Sequence, residues 1–176
     1  MIWVESAGGP LAVISEAALK DWSGFEGDYE RACDVEFVGV IPVGQSNAAL
    51  ILGDEPAGTT YVPVFQAFVQ WLWGEPGADV LVSLERGLPD ATWEAGPIFD
   101  VAGQLVIFDA AQPGSQVVID NADRSSLEPT IYQRTENALR VELSPNSYRV
   151  ESADISSDAA SCFRVHRLVA VPLGDR

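Results

Sequence analysis

Residues 38–56 read VGVIPVGQSNAALILGDEP, and the reading of this stretch decides the fold. Gly44-Gln45-Ser46-Asn47-Ala48 follows an apolar, β-branched run. It comes close to the G-x-S-x-G elbow that exposes a nucleophilic serine where a strand turns into a helix. Downstream, Asp109 ends the apolar run in QLVIFDA, and His166 is the chain's single histidine. Ser46, Asp109 and His166 stand in the order of an α/β-hydrolase triad. An elbow implies a doubly wound sheet, whereas a simple turn implies an antiparallel hairpin.

The context favours the hairpin. An elbow serine needs a helix directly after it. Here AALILG ends within six residues at Gly53 and is rich in leucine and isoleucine. The fifth position of the motif is Ala48 instead of glycine, and His166 lies in a strand-like run beside Arg164 and Arg167. The strand–helix alternation of a doubly wound sheet is missing. A serine hydrolase built on Ser46, Asp109 and His166 is therefore a runner-up reading, and no catalytic residue is assigned.

Working outward, IWVE and LAVI read as strands around a Gly8-Gly9-Pro10 turn, followed by a short helix, EAALKDW, capped by Ser15. A helical turn is expected around Tyr29–Cys33. YVPVFQAFVQWLW fits either period, and its β-branched and aromatic content favours a strand. EPGADVLVSLERG reads as a helix, with Pro76 near its start, Asp79 in its first turn and Gly87 at its C-terminus. PIFDV and QLVIFD read as one hairpin, ALRVEL and SYRVESADI as another. VVID reads as a further strand, 121–137 as loop, and CFRVHRLVAV as the closing strand. The expected fold is α+β, strand-dominated, with mostly antiparallel sheets and two short helices, in a single domain over 1–176.

Charge is the strongest compositional signal. The 176 residues carry a net charge of −16. Residues 1–120 hold 18 acids and 3 bases, while the remainder is nearly balanced. Such a field repels nucleic acid and anionic membrane and attracts basic proteins. The start of the chain lacks a basic, apolar leader, so a cytoplasmic location is expected. Cys33 and Cys162 are expected to be reduced thiols. One histidine and two distant cysteines do not make a metal site, and Gly8-Gly9 lacks the Gly-Lys-Ser/Thr of a phosphate loop. No cofactor and no metal are expected.

Read in order, WVESAGGPLAVI, DYERACDV, VGVIPV, ALILGDEP, LVIFDAAQPG, LSPNSYRVESA and VHRLV resemble the immunity protein 21 family of bacterial polymorphic toxin systems. The resemblance covers nearly the whole chain. It implies an antitoxin that binds the toxin encoded beside it, with no chemistry of its own. It also implies that Trp3, Glu5, Gly8, Gly9, Tyr29, Arg31, Pro42, Asp54 and Glu55 serve the fold more often than the toxin contact.

The implied partner is a cognate protein toxin, with a basic active-site cleft that suits an acidic inhibitor. The oligomeric state stays open, as does a binding module with no toxin. The expected toxin-binding residues are Glu26, Asp28, Glu30, Asp34 and Glu36, in a segment with little apolar periodicity whose carboxylates should face solvent. Asp54, Glu55, Glu75 and Asp79 form a second group, with Trp71 and Trp73 as aromatic anchors beside Glu75.

Overall fold

The computed structural model describes residues 1–53, 57–75, 78–119, 134–158 and 161–172, giving the backbone alone at 134–136 and 157–158. The opening stretch is a hairpin. Strands β3 (Val38–Val43) and β4 (Asn47–Leu52) pair antiparallel from Val43↔Asn47 to Val38↔Leu52, with Ser46 in the exposed turn.

Strands β3 and β4 belong to a five-stranded sheet ordered β10-β8-β2-β4-β3, with β2 at Leu11–Ser15, β8 at Leu105–Asp109 and β10 at Ala138–Val141. A seven-stranded sheet is ordered β7-β11-β12-β6-β5-β1-β9. Its strands are β1 (Ile2–Val4), β5 (Thr59–Val62), β6 (Ala67–Gly74), β7 (Glu94–Val101), β9 (Arg134–Glu136), β11 (Asn146–Asp158) and β12 (Ser161–Ala170). All pairings are antiparallel except that of β1 with β9. The fold is thus strand-dominated α+β, as the sequence predicts.

The two sheets pack face to face. Leu11, Val13, Leu50, Leu52, Leu105 and Ile107 from the smaller sheet meet Phe68, Phe99, Val150 and Leu168 from the larger. Each sheet is also covered on its outer face. Ala12, Ile14, Ile51, Val106 and Phe108 of the smaller sheet pack under Leu19, Trp22 and Ala32. Val69, Ala153, Ile155, Phe163 and Val165 of the larger pack under Val80 and Leu84 of helix α2 (Val80–Gly87). This double burial explains why β2, β4 and β8 read as continuous apolar runs, since neither face of these strands meets water.

Several expectations need correction. EAALKDW forms a 3-10 helix, Glu16–Asp21, and the Ser15 side chain makes no capping bond. The helical turn expected around Tyr29–Cys33 does form, as helix α1, Asp28–Cys33. YVPVFQAFVQWLW is two antiparallel strands, β5 and β6, broken by a 3-10 turn and by Gln66 at φ 48°. Asp79 is the N-cap of α2, accepting from the Val82 N–H, and Gly87 is its last residue with an ordinary negative φ. Neither later hairpin forms. β7 and β8 lie in different sheets, and so do β10 and β11. Alternation shows which side chains share a face, but not whether two consecutive strands pair or cross between sheets. The 117–119 part of VVID is not a strand, and Arg134–Glu136, expected as loop, pairs with β1. The rest of the predicted 121–137 loop, up to 133, lies outside the described residues.

The layer over the smaller sheet is fastened by backbone contacts. Trp22 donates its indole N–H to Ala110 O at 3.0 Å and meets Phe108 edge-on at 5.9 Å. Gly114 N–H donates to Trp22 O at 2.9 Å. A Cβ on Gly114 would stand 1.7 Å from Leu19 O, so only glycine allows this approach. We expect Gly114→Ala to lower stability by about 3 kcal/mol, from the displacement of backbone it would force. Gly103→Ala, where a Cβ meets nothing within 4 Å, should leave the urea midpoint unchanged. Equal midpoints for both variants would show that the close approach is not a constraint.

Cys33 is an exposed free thiol on α1, and Cys162 is a buried one on β12. Dithiothreitol should therefore leave the melting temperature unchanged. A bridge closing so long a loop would add about 4–5 kcal/mol in the chain-entropy model, and reducing it would show as a large drop.

Candidate functional site

The three residues of the hydrolase reading are not brought together. Ser46 sits in the β3–β4 turn and is exposed. Asp109, at the end of β8, has both oxygens engaged by backbone: Oδ2 accepts from Ala7 N–H and Oδ1 from Ala111 N–H, each at 2.9 Å. It clasps the turn after β1 to the turn after β8. His166 lies in the other sheet, fully buried, with neither Ser46 nor Asp109 as a partner.

The histidine has partners that the sequence did not reveal. Ser152, its cross-strand neighbour on β11, lies 2.7 Å from Nδ1, and Gln70 Oε1 on β6 lies 2.9 Å from Nε2. With a carbonyl oxygen facing it, Nε2 carries the proton and donates to Gln70, and Nδ1 accepts from the Ser152 hydroxyl. Phe37 packs edge-on against the ring at 5.8 Å, and the Arg164 guanidinium lies 4.5 Å from the Phe37 centroid. Burial first, then the Arg164 charge, push the His166 pKa down to about 3, while Asp154 opposes the shift. Ser152 is 2% exposed, so this serine–histidine pair is closed to a substrate.

The acidic segment presents a different surface. Glu26, Glu30, Asp34 and Glu36 are exposed as expected. Asp28 is not: it is 6% exposed and lies at the first position of α1. Its Oδ2 accepts from both the N–H and the hydroxyl of Ser23 at 2.7 Å, and Oδ1 pairs with Arg31. Burial works against the Asp28 charge, but the Ser23 and Arg31 contacts outweigh it and hold the pKa below the ordinary carboxylate value. Asp28 and Arg31 organise the segment from within, which fits the fold-keeping role implied for Arg31. Tyr29 lies over Gly9 and so joins the same segment to the turn after β1.

Three further bases are paired locally. Among the described residues, Arg140 pairs with Glu16 at 2.7 Å, Arg164 with Asp154 at 2.8 Å and Arg167 with Glu151 at 2.6 Å. None of these pairs involves Glu26, Glu30, Asp34 or Glu36, and Arg31, the cation among them, is paired with Asp28. Next to them is a residue the sequence reading missed: Phe25, 70% exposed. The available signal was an aromatic side chain inside a polar run, GFEGDYE.

The second group is split by the structure. Trp71 is half-buried, edge-on to Trp3 at 5.8 Å and Phe163 at 5.1 Å, so it belongs to the core under α2. Trp73 is 51% exposed, and Glu75 is exposed. Asp79 is engaged as a helix cap. Asp54 and Glu55 lie outside the described residues. Trp71 faces the α2 side of the larger sheet, whereas the register shift between Trp71 and Trp73 breaks the alternation and pairs Trp73 with Cys162; α1 covers the outer face of the smaller sheet. Asp79, at the start of α2, and the first group, on and around α1, therefore lie over different sheets. No helix among the described residues is long and apolar enough to cross a membrane.

A family model described as Immunity protein 21 matches residues 2–161. No curated protein and no solved structure matches the chain.

The buried histidine gives a stability prediction. Its folded pKa lies below the ordinary value of 6.5, so between pH 6.5 and about 3 the unfolded chain binds a proton that the folded chain refuses. Its contribution is complete above pH 6.5 and falls with acidification by about 1.4 kcal/mol per pH unit. The stability gap between wild type and His166→Gln, from urea titrations at pH 7, 6, 5 and 4, should shrink as pH falls. A gap constant with pH would contradict the burial argument.

Proposed function

Because this chain belongs to the Immunity protein 21 family, we propose that it binds the cognate toxin of a bacterial polymorphic toxin system and neutralises it by contact. The exposed strip of Glu26, Glu30, Asp34 and Glu36 faces a basic surface of that toxin. The observation that carries this reading is the set of four solvent-facing carboxylates with no ion pair among the described residues, on a chain of net charge −16. Toxins that act on nucleic acid need basic clefts for the phosphate backbone. An acidic inhibitor occupies such a cleft in place of phosphate and is drawn to it over about a Debye length, ~10 Å at 0.1 M salt. The protein works by binding in the cytoplasm of the producing cell and needs no cofactor.

Family membership supports the immunity role, and the charge distribution supports the choice of face. Of the residues that the resemblance marks as fold-keeping, Gly9, Tyr29 and Arg31 make contacts within the segment that carries these carboxylates, while Trp3 lies in the core under α2.

The first test is co-purification with the toxin domain encoded by the neighbouring gene. The second is kinetic. Glu26→Lys, Glu30→Lys and Asp34→Lys combined should slow association at low salt by about tenfold or more and flatten its salt dependence, since rim charges act on the on-rate. Association as fast as wild type at low salt would exclude this face and move the search to Trp73 and Glu75. Ser46→Ala should neutralise the toxin as well as wild type does, and loss of protection in that folded variant would revive the hydrolase reading.

A further inference from the structure

Phe25 is the most exposed aromatic side chain described, at 70%. Isolated exposed apolar residues are ordinary on protein surfaces. Val64 and Val118, at 76% and 73%, illustrate the point. Phe25 differs from them in how it is held. Its backbone N–H donates to Ala111 O at 3.2 Å. The preceding Gly24 has φ +59°, and a Cβ there would stand 2.6 Å from Pro113 N and 2.7 Å from Ala111 O, so the chain is seated directly on backbone 111–113. The ring meets Tyr29 edge-on at 5.1 Å. Tyr29 in turn lies over Gly9, and the next turn is tied by the Ser23–Asp28–Arg31 network. An aromatic side chain is thus fixed from two directions and still turned to water.

We propose that Phe25 is the apolar anchor of the toxin contact, entering an apolar pocket on the toxin whose rim carries lysine or arginine side chains. This deepens the proposed function and rests on it. The kind of partner follows from charge complementarity: Glu26 adjoins Phe25, Glu30 follows Tyr29 on α1, and neither is neutralised by a local base. A pocket that admits Phe25 brings its rim against these carboxylates, and a guanidinium there can also lie on the ring face. Rigidity adds to affinity, because a clamped backbone and a ring packed edge-on against Tyr29 lose little freedom on binding. The two parts act on different rate constants. Carboxylates raise the association rate and respond to salt, while a buried aromatic anchor slows dissociation independently of salt.

The experiment measures binding to the purified toxin domain from the neighbouring gene, at two salt concentrations, for wild type, Phe25→Ala, Phe25→Trp and Val64→Ala. Phe25→Ala should weaken binding about 30-fold, the size of an aromatic hot spot, almost wholly through faster dissociation and equally at both salts. Phe25→Trp should recover most of the loss, and Val64→Ala should match wild type. Melting temperatures within a degree or so of wild type would confirm that the variants fold, as expected for an exposed side chain. If wild type binds the toxin and Phe25→Ala binds equally well, the anchor is overturned while the immunity reading stands. If wild type itself does not bind the toxin, it is the immunity reading that fails. Sedimentation of the free protein closes the remaining route: a wild-type dimer that Phe25→Ala converts to monomer would assign the ring to a second copy of this chain and overturn the proposal.

Discussion

The close approach of segment 19–25 to segment 110–114 is the constraint on which the outer layer depends. At Gly114 two backbones meet with no room for a side chain, and Gly24 repeats the arrangement a few residues away. Between these contacts, Trp22 lies 2% exposed with its indole N–H on Ala110 O, and Phe25 N–H reaches Ala111 O. Asp109 fastens the same turn to the segment after β1. Truncating a buried tryptophan in such a place costs about 3–5 kcal/mol. The greater consequence is positional: everything from Ser23 to Phe37 is carried on this junction, including α1 and its exposed carboxylates.

The junction also separates the contacts that hold this surface from the side chains that it presents. The contacts that hold it use backbone atoms, glycines, Trp22, Tyr29 and the pair of buried Asp28 with Arg31. The outward side chains Phe25, Glu26, Glu30, Asp34 and Glu36 make no ion pair in that frame. Replacing the carboxylates would leave the contacts of that frame in place. Uncompensated charge is the corresponding cost, since like charges held together repel and weaken the compact state.

A second polar system lies in the larger sheet, where Ser152, His166 and Gln70 satisfy one another away from water. A buried polar group without partners loses roughly 1–3 kcal/mol, so the three residues are retained or lost as a set. The set fixes the tautomer of His166 and closes it to chemistry. The same side chain that suggested a hydrolase in the sequence acts here as a pinned part of the sheet interior.

Local pattern alone determined much of this protein. The VGQSN turn between two apolar arms, the continuous apolar runs of β2, β4 and β8, the short helix before Cys33 and the concentration of charge before residue 120 are all legible, because hydrophobic period, turn chemistry and charge are properties of neighbouring residues. Tertiary structure decided the rest. Whether PIFDV pairs with QLVIFD or crosses to another sheet depends on which edge is available, and Ala102-Gly103 permits both. Asp28 and Glu30 are two residues apart and chemically alike, yet one is the buried hub of a cap and the other faces water, because only one of them points at Ser23. Trp71 and Trp73 are separated in the same way by Trp3 and Phe163. Phe25 stands out in sequence only as an aromatic in a polar run, and its backbone is fixed because Gly24 can approach backbone 111–113, a contact between segments nearly ninety residues apart that no local window contains.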